Sequence, residues 1–207
     1  MLKRIKGRLL LILLVVTGFA GTLNDSTLTK EERKLAINQL KDTKTDLLKS
    51  IRGLSETQLN FKQSPDRWSI KECFNHLTLA EAGFWEMLET SMKEHAAPEK
   101  RSQVKISDED LLKRITDRSV KAKAPEFFQP SKAEWKSMNE AVTAFKSSRS
   151  KHLKYAKTTT EDLRNHFVQL PFGWIDCYQF IIFISGHNNR HTQQINEIIA
   201  NTGFPKS

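Results

Sequence analysis

Hydrophobic side chains recur every three or four residues through most of the chain, a spacing that places them on one face of an α-helix. The composition agrees, because the 207 residues include only 8 Gly and 6 Pro, the two residue types that most disfavour helix interiors. Three of the four long periodic segments open with Ser or Thr followed three residues later by Glu, the pattern of a reciprocal helix N-cap. We therefore predict four long helices, at about residues 29–52, 69–95, 131–157 and 174–202.

The connection between the second and third predicted helices, residues 97–130, is long for a compact domain. It contains a shorter helical pattern at about residues 108–121, followed by residues 124–130, where proline favours an extended backbone. We expect this connection to wrap the bundle or to roof a cavity. No segment has a convincing strand pattern, so the sequence predicts an all-α four-helix bundle with one long connection between helices 2 and 3.

The N-terminus differs in composition from the rest of the chain. Four basic residues lie among the first eight, and an apolar run ending at Ala20 follows them. This order, with small residues before Gly21 and an apolar run shorter than a membrane span, is typical of a cleavable signal peptide. We predict a signal peptide at residues 1–20, a short linker at 21–27 and one helical domain at 28–204, exported to a periplasm or the cell exterior. An uncleaved N-terminal membrane anchor is the alternative.

The formal net charge of +9 is partly due to this leader. Removing its four basic residues from the total of 33 leaves 29 against 24 acidic residues, a net charge of +5. The remaining basic side chains are mostly interleaved with acidic ones along the predicted helices, which is typical of solvated helix faces. We therefore predict no nucleic-acid partner, and contact with a membrane only through the N-terminal segment if it stays attached.

Histidine provides the candidate chemistry. His187 and His191 are one helical turn apart on a face that also carries apolar residues, so both rings should point into the core. His76 lies on a similar face of the second predicted helix. Three neutral imidazoles from neighbouring helices can bind a divalent ion and leave a coordination position for water or a substrate thiolate. The sequence predicts such a metal site on His76, His187 and His191, with Zn(II) or Ni(II) favoured; the alternative is core histidines that each bond a carbonyl or a carboxylate.

Three polar residues near these histidines have more than one interpretation. Glu72 forms the helix N-cap with Ser69, or it is the catalytic residue that orients a histidine or transfers a proton, and the two roles are compatible. Gln194 is interpreted as a helix-packing hydrogen-bond donor or acceptor, with contact to a metal-bound water as the alternative. Arg190 points away from the histidine face, and we expect it to form a salt bridge within the bundle.

The other cysteines and histidines are assigned structural roles. Cys73 and Cys177 are predicted to be separate buried thiols, because helix geometry keeps them too far apart for a disulfide. Cys73 as a further metal ligand is the less favoured alternative. His95, His152 and His166 have no paired setting and are interpreted as surface or structural residues.

Two motifs resemble a known family. In order and spacing, Trp68-Ser69-x-x-Glu72-x-x-x-His76-Leu77 and His187-x-x-Arg190-His191-x-x-Gln194-Ile195 are similar to the DinB-like (DinB/YfiT) superfamily of proposed metalloenzymes. Residues 124–130, 145–149 and 159–167 resemble its exported bacterial members, so the similarity spans about residues 28–204. The resemblance implies a four-helix bundle, often dimeric, with a metal ion on three histidines that correspond here to His76, His187 and His191.

The resemblance also implies a range of activities. Characterised members of the family include S-transferases that use bacillithiol, mycothiol or glutathione, and some hydrolases. Such thiols are cytosolic and scarce outside the membrane, so the predicted export makes hydrolysis at least as plausible as thiol transfer. We predict an exported metal-dependent enzyme that hydrolyses, or transfers a thiol to, a small electrophilic molecule, with a homodimer as the implied assembly. The alternatives are a metal-binding module without turnover and a purely structural helical bundle.

Overall fold

The computed structural model describes residues 27–120 and 123–206. The predicted signal peptide, and the predicted linker except Thr27, lie outside the described residues. The helices are α1 (Lys30–Ser50), α2 (Glu56–Asn60), α3 (Ile70–Lys93), α4 (Asp108–Thr116), α5 (Met138–Thr158) and α6 (Cys177–Ile199), and the strands are β1 (Phe167–Leu170) and β2 (Gly173–Asp176). Short 3₁₀ turns lie at Pro98–Gln103, Glu126–Phe128, Pro130–Lys132 and Leu163–Asn165.

The predicted four-helix bundle is confirmed. Helix α1 packs against α5 and α6, and α3 packs against the same two helices from the opposite side. The bundle is therefore formed by α1, α3, α5 and α6, while the shorter α4 packs along α6. Among the described residues, no helix is both long enough and apolar enough to cross a bilayer.

The first two predicted helix starts are confirmed, and the third is wrong. Thr29 and Ser69 cap α1 and α3 through the predicted reciprocal hydrogen bonds. The third long helix, α5, begins at Met138 rather than near residue 131, with Ser137 as its N-cap. The chain contains two Ser-x-x-Glu patterns here, and only the second leads directly into the buried positions Ala141 and Phe145.

The region before the last helix is a β-hairpin, so the predictions of no strand and of a helix starting near Trp174 are wrong. Strands β1 and β2 pair antiparallel, from Phe167 opposite Asp176 to Leu170 opposite Gly173. Gly173 has a φ of 130°, which a residue with a Cβ rarely adopts. Helix α6 then starts at Cys177, where the Asp176 side chain accepts a hydrogen bond from the backbone amide of Gln179. Four-residue strands are too short for their alternation to stand out in a helical sequence.

A buried polar layer divides the bundle core into two apolar clusters. At its centre Arg149 of α5 forms a bidentate ion pair with Glu81 of α3, with Nε–Oε1 and Nη2–Oε2 distances of 2.5 and 2.7 Å. The His152 ring, only 3% exposed, contacts Glu81 Oε1 through Nδ1 at 2.7 Å. His152 is therefore a structural residue, as one interpretation predicted, but its full burial was not expected from its polar sequence neighbours.

The other two long helices complete this layer. Arg149 Nη1 donates to Leu40 O and to Thr43 Oγ1 of α1, both at 2.9 Å. In the amide orientation that satisfies both of its ends, Asn188 of α6 accepts from Arg149 Nη2 at 3.2 Å and donates to Thr43 O at 3.0 Å. All five guanidinium N–H groups are thus used, and every long helix contributes to the layer.

Candidate metal centre

The structure brings His76, His187 and His191 together. His76 lies two turns into α3, whose start is set by the Ser69 cap, and the other two histidines lie one turn apart in α6. One ring nitrogen from each residue lies within 4.8 Å of the corresponding atoms of the other two. The Nε2 atoms of His76 and His187 are 3.2 Å apart. The three rings therefore face one common point, which is what a shared metal ion requires.

Two of the rings are oriented by hydrogen bonds on their far side. His76 Nδ1 lies 2.8 Å from the carbonyl oxygen of Phe128, and His191 Nδ1 lies 2.9 Å from Gln194 Oε1. Both partner oxygens are acceptors, so each Nδ1 carries the proton and donates it. In a neutral ring this leaves an unprotonated Nε2, the form that binds a metal ion.

Burial keeps these rings neutral. It is the main cause that lowers the pKa of His76, and it lowers the pKa of His187 and His191 well below the usual value. The neighbouring imidazoles add to the shift for His187 and His191, because two charged rings would repel each other.

The short contact between His76 and His187 fits a divalent ion. His76 Nε2 has no proton to donate, so the contact is satisfied either by an N–H of His187 or by a cation bound to both nitrogens. Tetrahedral zinc with Zn–N bonds of 2.0–2.1 Å separates its nitrogen ligands by about 3.3 Å, close to the 3.2 Å observed. Neutral imidazoles also suit Ni(II), so the donor set fits the predicted class of ion.

Aromatic side chains enclose the three histidines. The Trp68 ring lies with its centroid 4.9 Å from that of His76 and 6.2 Å from that of His191. On the other side, the rings of Phe84 and Phe183 lie 5.2 and 6.1 Å from His187. His76 is 2% exposed and His191 9%, whereas His187 is partly exposed. The centre is therefore shielded by apolar rings and is most open beside His187.

Glu72 has the capping role that the sequence predicted. Its Oε2 accepts from the Ser69 backbone amide and its Oε1 from Lys62 Nζ, both at 2.8 Å. Glu72 precedes His76 by one turn of α3 and is not part of the three-histidine cluster. Its catalytic role stays a prediction, and both of its oxygens already have partners.

Sequence reasoning missed the groups that orient the histidines. Phe128 acts through a backbone carbonyl, for which side-chain patterns give no signal.

Two polar residues of α6 have partners that differ from the predicted ones. Arg190 was expected to form a salt bridge, but it donates to the carbonyl oxygens of Ile115, Asp117 and Val120, at and beyond the end of α4. Gln194 was expected to form a helix-packing hydrogen bond; its Oε1 accepts from Arg118, which follows α4, but it also accepts from His191 on its own helix, which was not expected.

The two cysteines are not ligands in this arrangement. Cys73 and Cys177 are both buried free thiols, as predicted, and burial raises the pKa of each to about 12. A thiol with so high a pKa is neither a good nucleophile nor a ready metal ligand. Within the described residues, the cluster suited to a metal ion contains only histidine.

Comparison with known proteins identifies the fold and the family of this chain. The protein YuaE of Bacillus subtilis (strain 168), itself uncharacterized, is 30% identical over 157 residues, which cover 72% of this chain and 87% of YuaE. The solved structure of YfiT from Bacillus subtilis, described as "a probable metal-dependent hydrolase with an unusual four-helix bundle topology", superposes with a TM-score of 0.60. That match covers 86% of this chain and 92% of YfiT at 14% identity, so it shows a shared fold. The family model of the DinB superfamily matches residues 39–195, and the chain belongs to that superfamily.

Proposed function

We propose that this protein is a metal-dependent hydrolase of a small electrophilic molecule, with a divalent ion held by His76, His187 and His191. The observation that carries the proposal is the 3.2 Å approach of two Nε2 atoms in rings that burial keeps neutral. The fold shared with YfiT, described as "a probable metal-dependent hydrolase", supports the same reaction class. We favour Zn(II) or Ni(II), since both accept neutral imidazole ligands.

The protein's own residues would prepare this reaction. A divalent ion supplies Lewis acidity and activates water for attack on the substrate. Phe128 and Gln194 hold the rings of His76 and His191 with Nε2 toward the common point. Trp68 excludes water from one side of the rings, and the more open side at His187 gives a small substrate its approach. Binding in such an apolar surround strengthens the electrostatic interactions within it.

A metal-binding module without turnover is the second candidate, and the contacts of Glu72 favour it. Glu72 lies outside the three-histidine cluster, and its two carboxylate oxygens already accept hydrogen bonds from Lys62 and from the Ser69 amide. If the protein is the proposed hydrolase, we propose Glu72 as its proton-transfer group; the metal-binding module needs no such group. If Glu72→Gln retains the metal and loses turnover, the catalytic role is supported; unchanged turnover would reject it.

The first experiment measures the metal. Plasma mass spectrometry of the purified protein should find one divalent ion per chain, and X-ray absorption should show three nitrogen ligands from imidazole. His187→Ala should lose the ion, because two imidazoles bind a divalent ion much more weakly than three. His95→Ala is the matched control, since His95 is exposed and lies outside the cluster. A wild-type protein without a stoichiometric ion would reject both the hydrolase and the metal-binding module.

The second experiment measures turnover. Ester, amide and thiol-transfer substrates are assayed with the metal-loaded protein, with and without bacillithiol or glutathione. Hydrolysis that needs the metal and no thiol supports the proposal. Turnover that depends on a thiol would instead identify an S-transferase, and no turnover across the panel would favour the metal-binding module.

We include export in the proposed function. Hydrolysis needs no low-molecular-weight thiol, and such thiols are scarce outside the membrane, so the proposed reaction is compatible with export. The basic and apolar start of the sequence supports it. N-terminal sequencing of the protein from its native cells tests this point. A mature chain that begins at Gly21 is expected; an intact chain in the cytosolic fraction would reject export.

A further inference from the structure

One metal-binding histidine is linked through Gln194 to a cation outside the bundle. Gln194 Oε1 accepts from His191 Nδ1 at 2.9 Å and also from Arg118 Nη1 at 3.4 Å. Arg118, which follows α4 by two residues, is held in turn by Glu197 of α6. Its Nε and Nη2 donate to the two carboxylate oxygens of Glu197 at 3.0 and 2.7 Å. His191, Gln194, Arg118 and Glu197 thus form a continuous chain of hydrogen bonds.

The orientation of the Gln194 amide decides which nitrogen of His191 is protonated. With the amide oxygen toward the ring, Nδ1 must donate, and Nε2 keeps the lone pair that binds a metal ion. With the amide reversed, its NH₂ group would donate to Nδ1, and the neutral ring would carry its proton on Nε2. That tautomer cannot bind the ion through Nε2.

Arg118 removes this ambiguity. A guanidinium group has N–H donors and no acceptor, so only the amide oxygen can face it favourably. The reversed amide would place its partly positive NH₂ group against the guanidinium cation. The side chain of Arg118 is only 21% exposed, so water screens this repulsion incompletely.

We infer that Arg118 is a positioning residue of the metal centre: by fixing the Gln194 amide, it keeps His191 in the tautomer that binds the ion. The inference rests on the proposed function in that it assigns Nε2 of His191 as a ligand atom. Arg118 itself touches neither the histidines nor a substrate. Replacing the group that bonds a ligand histidine directly, here Gln194, typically weakens metal binding by roughly 10–100-fold, and Arg118 acts one hydrogen bond further out.

The end of α4 is fastened so that Arg118 stays in place. Arg190 donates to the backbone carbonyls of Asp117 and Val120, on either side of Arg118. Gln193 Nε2 donates to Thr116 O at 3.1 Å. The carbonyls of Thr116 and Asp117 lie at the C-terminus of α4 and have no partner within the helix, and the cation of Arg190 also complements the helix dipole there. The segment of α6 that carries the metal ligands therefore also anchors the residue that orients one of them.

The test compares the His191 tautomer and the metal affinity in a small set of variants. Long-range ¹H–¹⁵N spectra of the metal-free protein identify the protonated nitrogen, with His191→Gln used to assign the signals. The wild type should show Nδ1–H, and Arg118→Met should show a mixture of tautomers. Its Zn(II) affinity in a chelator competition should fall in proportion to the fraction of His191 that keeps Nδ1–H, by about twofold for an equal mixture. Arg118→Lys keeps a cationic donor and should stay close to the wild type. Arg114→Met is the charge-matched control, since Arg114 is an exposed cation on the preceding helix α4 and stacks on Phe172.

Repeating Arg118→Met in a protein that also carries Gln194→Glu separates two roles of Arg118: orienting the Gln194 amide, and holding the end of α4 against α6. In Gln194→Glu both side-chain oxygens are acceptors, so the orientation of the group no longer matters. Arg118→Met should then lower the affinity less than it does in the wild-type background. An equal loss in both backgrounds, or an unchanged tautomer in Arg118→Met, overturns the inference. A wild type that binds no divalent ion would reject the proposed function, while the tautomer measurement would still decide the inference.

Discussion

Replacing Arg149 by methionine tests how strongly the polar layer determines the stability of the bundle. The substitution keeps an unbranched side chain but removes five N–H donors and one positive charge. It leaves the Glu81 carboxylate, which is 2% exposed, without its cation. It also leaves Leu40 O and Thr43 Oγ1 without the donors that lie 2.9 Å away in the wild type.

The magnitude follows from the charge that is left behind. Removing one partner of a buried ion pair costs about 3–5 kcal/mol, because the remaining charge is desolvated and unpaired. Domains of this kind unfold with about 5–15 kcal/mol, so Arg149→Met should remove a large share of the stability. For a domain of 150–250 residues the loss corresponds to a decrease in Tm of roughly 6–20 °C.

Urea denaturation followed by far-UV circular dichroism measures this loss, and thermal unfolding provides the Tm. Lys146→Met is the matched control, because Lys146 is an exposed cation on the same helix and should change the free energy of unfolding by less than about 0.5 kcal/mol. If Arg149→Met costs no more than the Lys146 variant, the ion pair does not have the role that its burial indicates.

Two further outcomes are expected from individual residues. Burial alone would raise the pKa of Glu81, but Arg149 and His152 outweigh it and lower the pKa from an ordinary value of 4.5 to about 2. Because the pKa is lower in the folded state, the ionised carboxylate stabilises the fold at pH values above 4.5, and this contribution is lost as the pH decreases from about 4.5 to about 2. The free energy of unfolding, measured by urea titration, should therefore decrease over this pH range, and Glu81→Gln should make the decrease smaller. An equal decrease in the wild type and in the variant would contradict the assignment. In Gly83→Ala the added methyl group would overlap the ring of Phe128. The backbone carbonyl of Phe128 also accepts the hydrogen bond from His76 Nδ1. This variant should therefore weaken metal binding as well as stability, and an unaltered Zn(II) affinity in chelator competition would show that Phe128 can shift without moving the ring of His76.

The sequence predicted the bundle because long amphipathic helices with reciprocal caps carry strong local signals. Thr29 and Ser69 mark their helix starts without reference to the rest of the fold. The signal was ambiguous where two capping patterns followed each other, and α5 starts at the second, after Ser137. The hairpin before α6 was missed because only its pairing, with Phe167 opposite Asp176, distinguishes it from a loop.

In the candidate site, the three histidines were predictable from the sequence, and the groups that orient them were not. His187 and His191 share a face because helix geometry requires it. His76 lies on a similar face of the second predicted helix, and the family motif supports the same three residues. The groups behind them depend on how distant segments dock: the Phe128 carbonyl comes from the long connection, and Arg118 follows α4. The roles of these residues depend on tertiary packing, which a single sequence does not display.

The polar layer also sets the axial level at which the histidines meet. On α3, Glu81 follows His76 by five residues, or about 7.5 Å along the helix, and on α6 Asn188 is the residue next to His187. Apolar helix faces tolerate a shift of one turn, about 5.4 Å, far more readily than a bidentate ion pair does. Such a shift would separate the Nε2 atoms that are now 3.2 Å apart.

The paired variant Glu81→Leu with Arg149→Met separates this role in register from the role in stability. Replacing both charges leaves no unpaired ion, so the double variant should lose less stability than the two single variants combined, by at least about 1 kcal/mol. If the layer fixes the register, the double variant should remain helical yet show more than one set of signals for His76 and a weaker Zn(II) affinity than the wild type. A single set of wild-type signals with wild-type affinity would show that the apolar packing alone aligns α3 with α6.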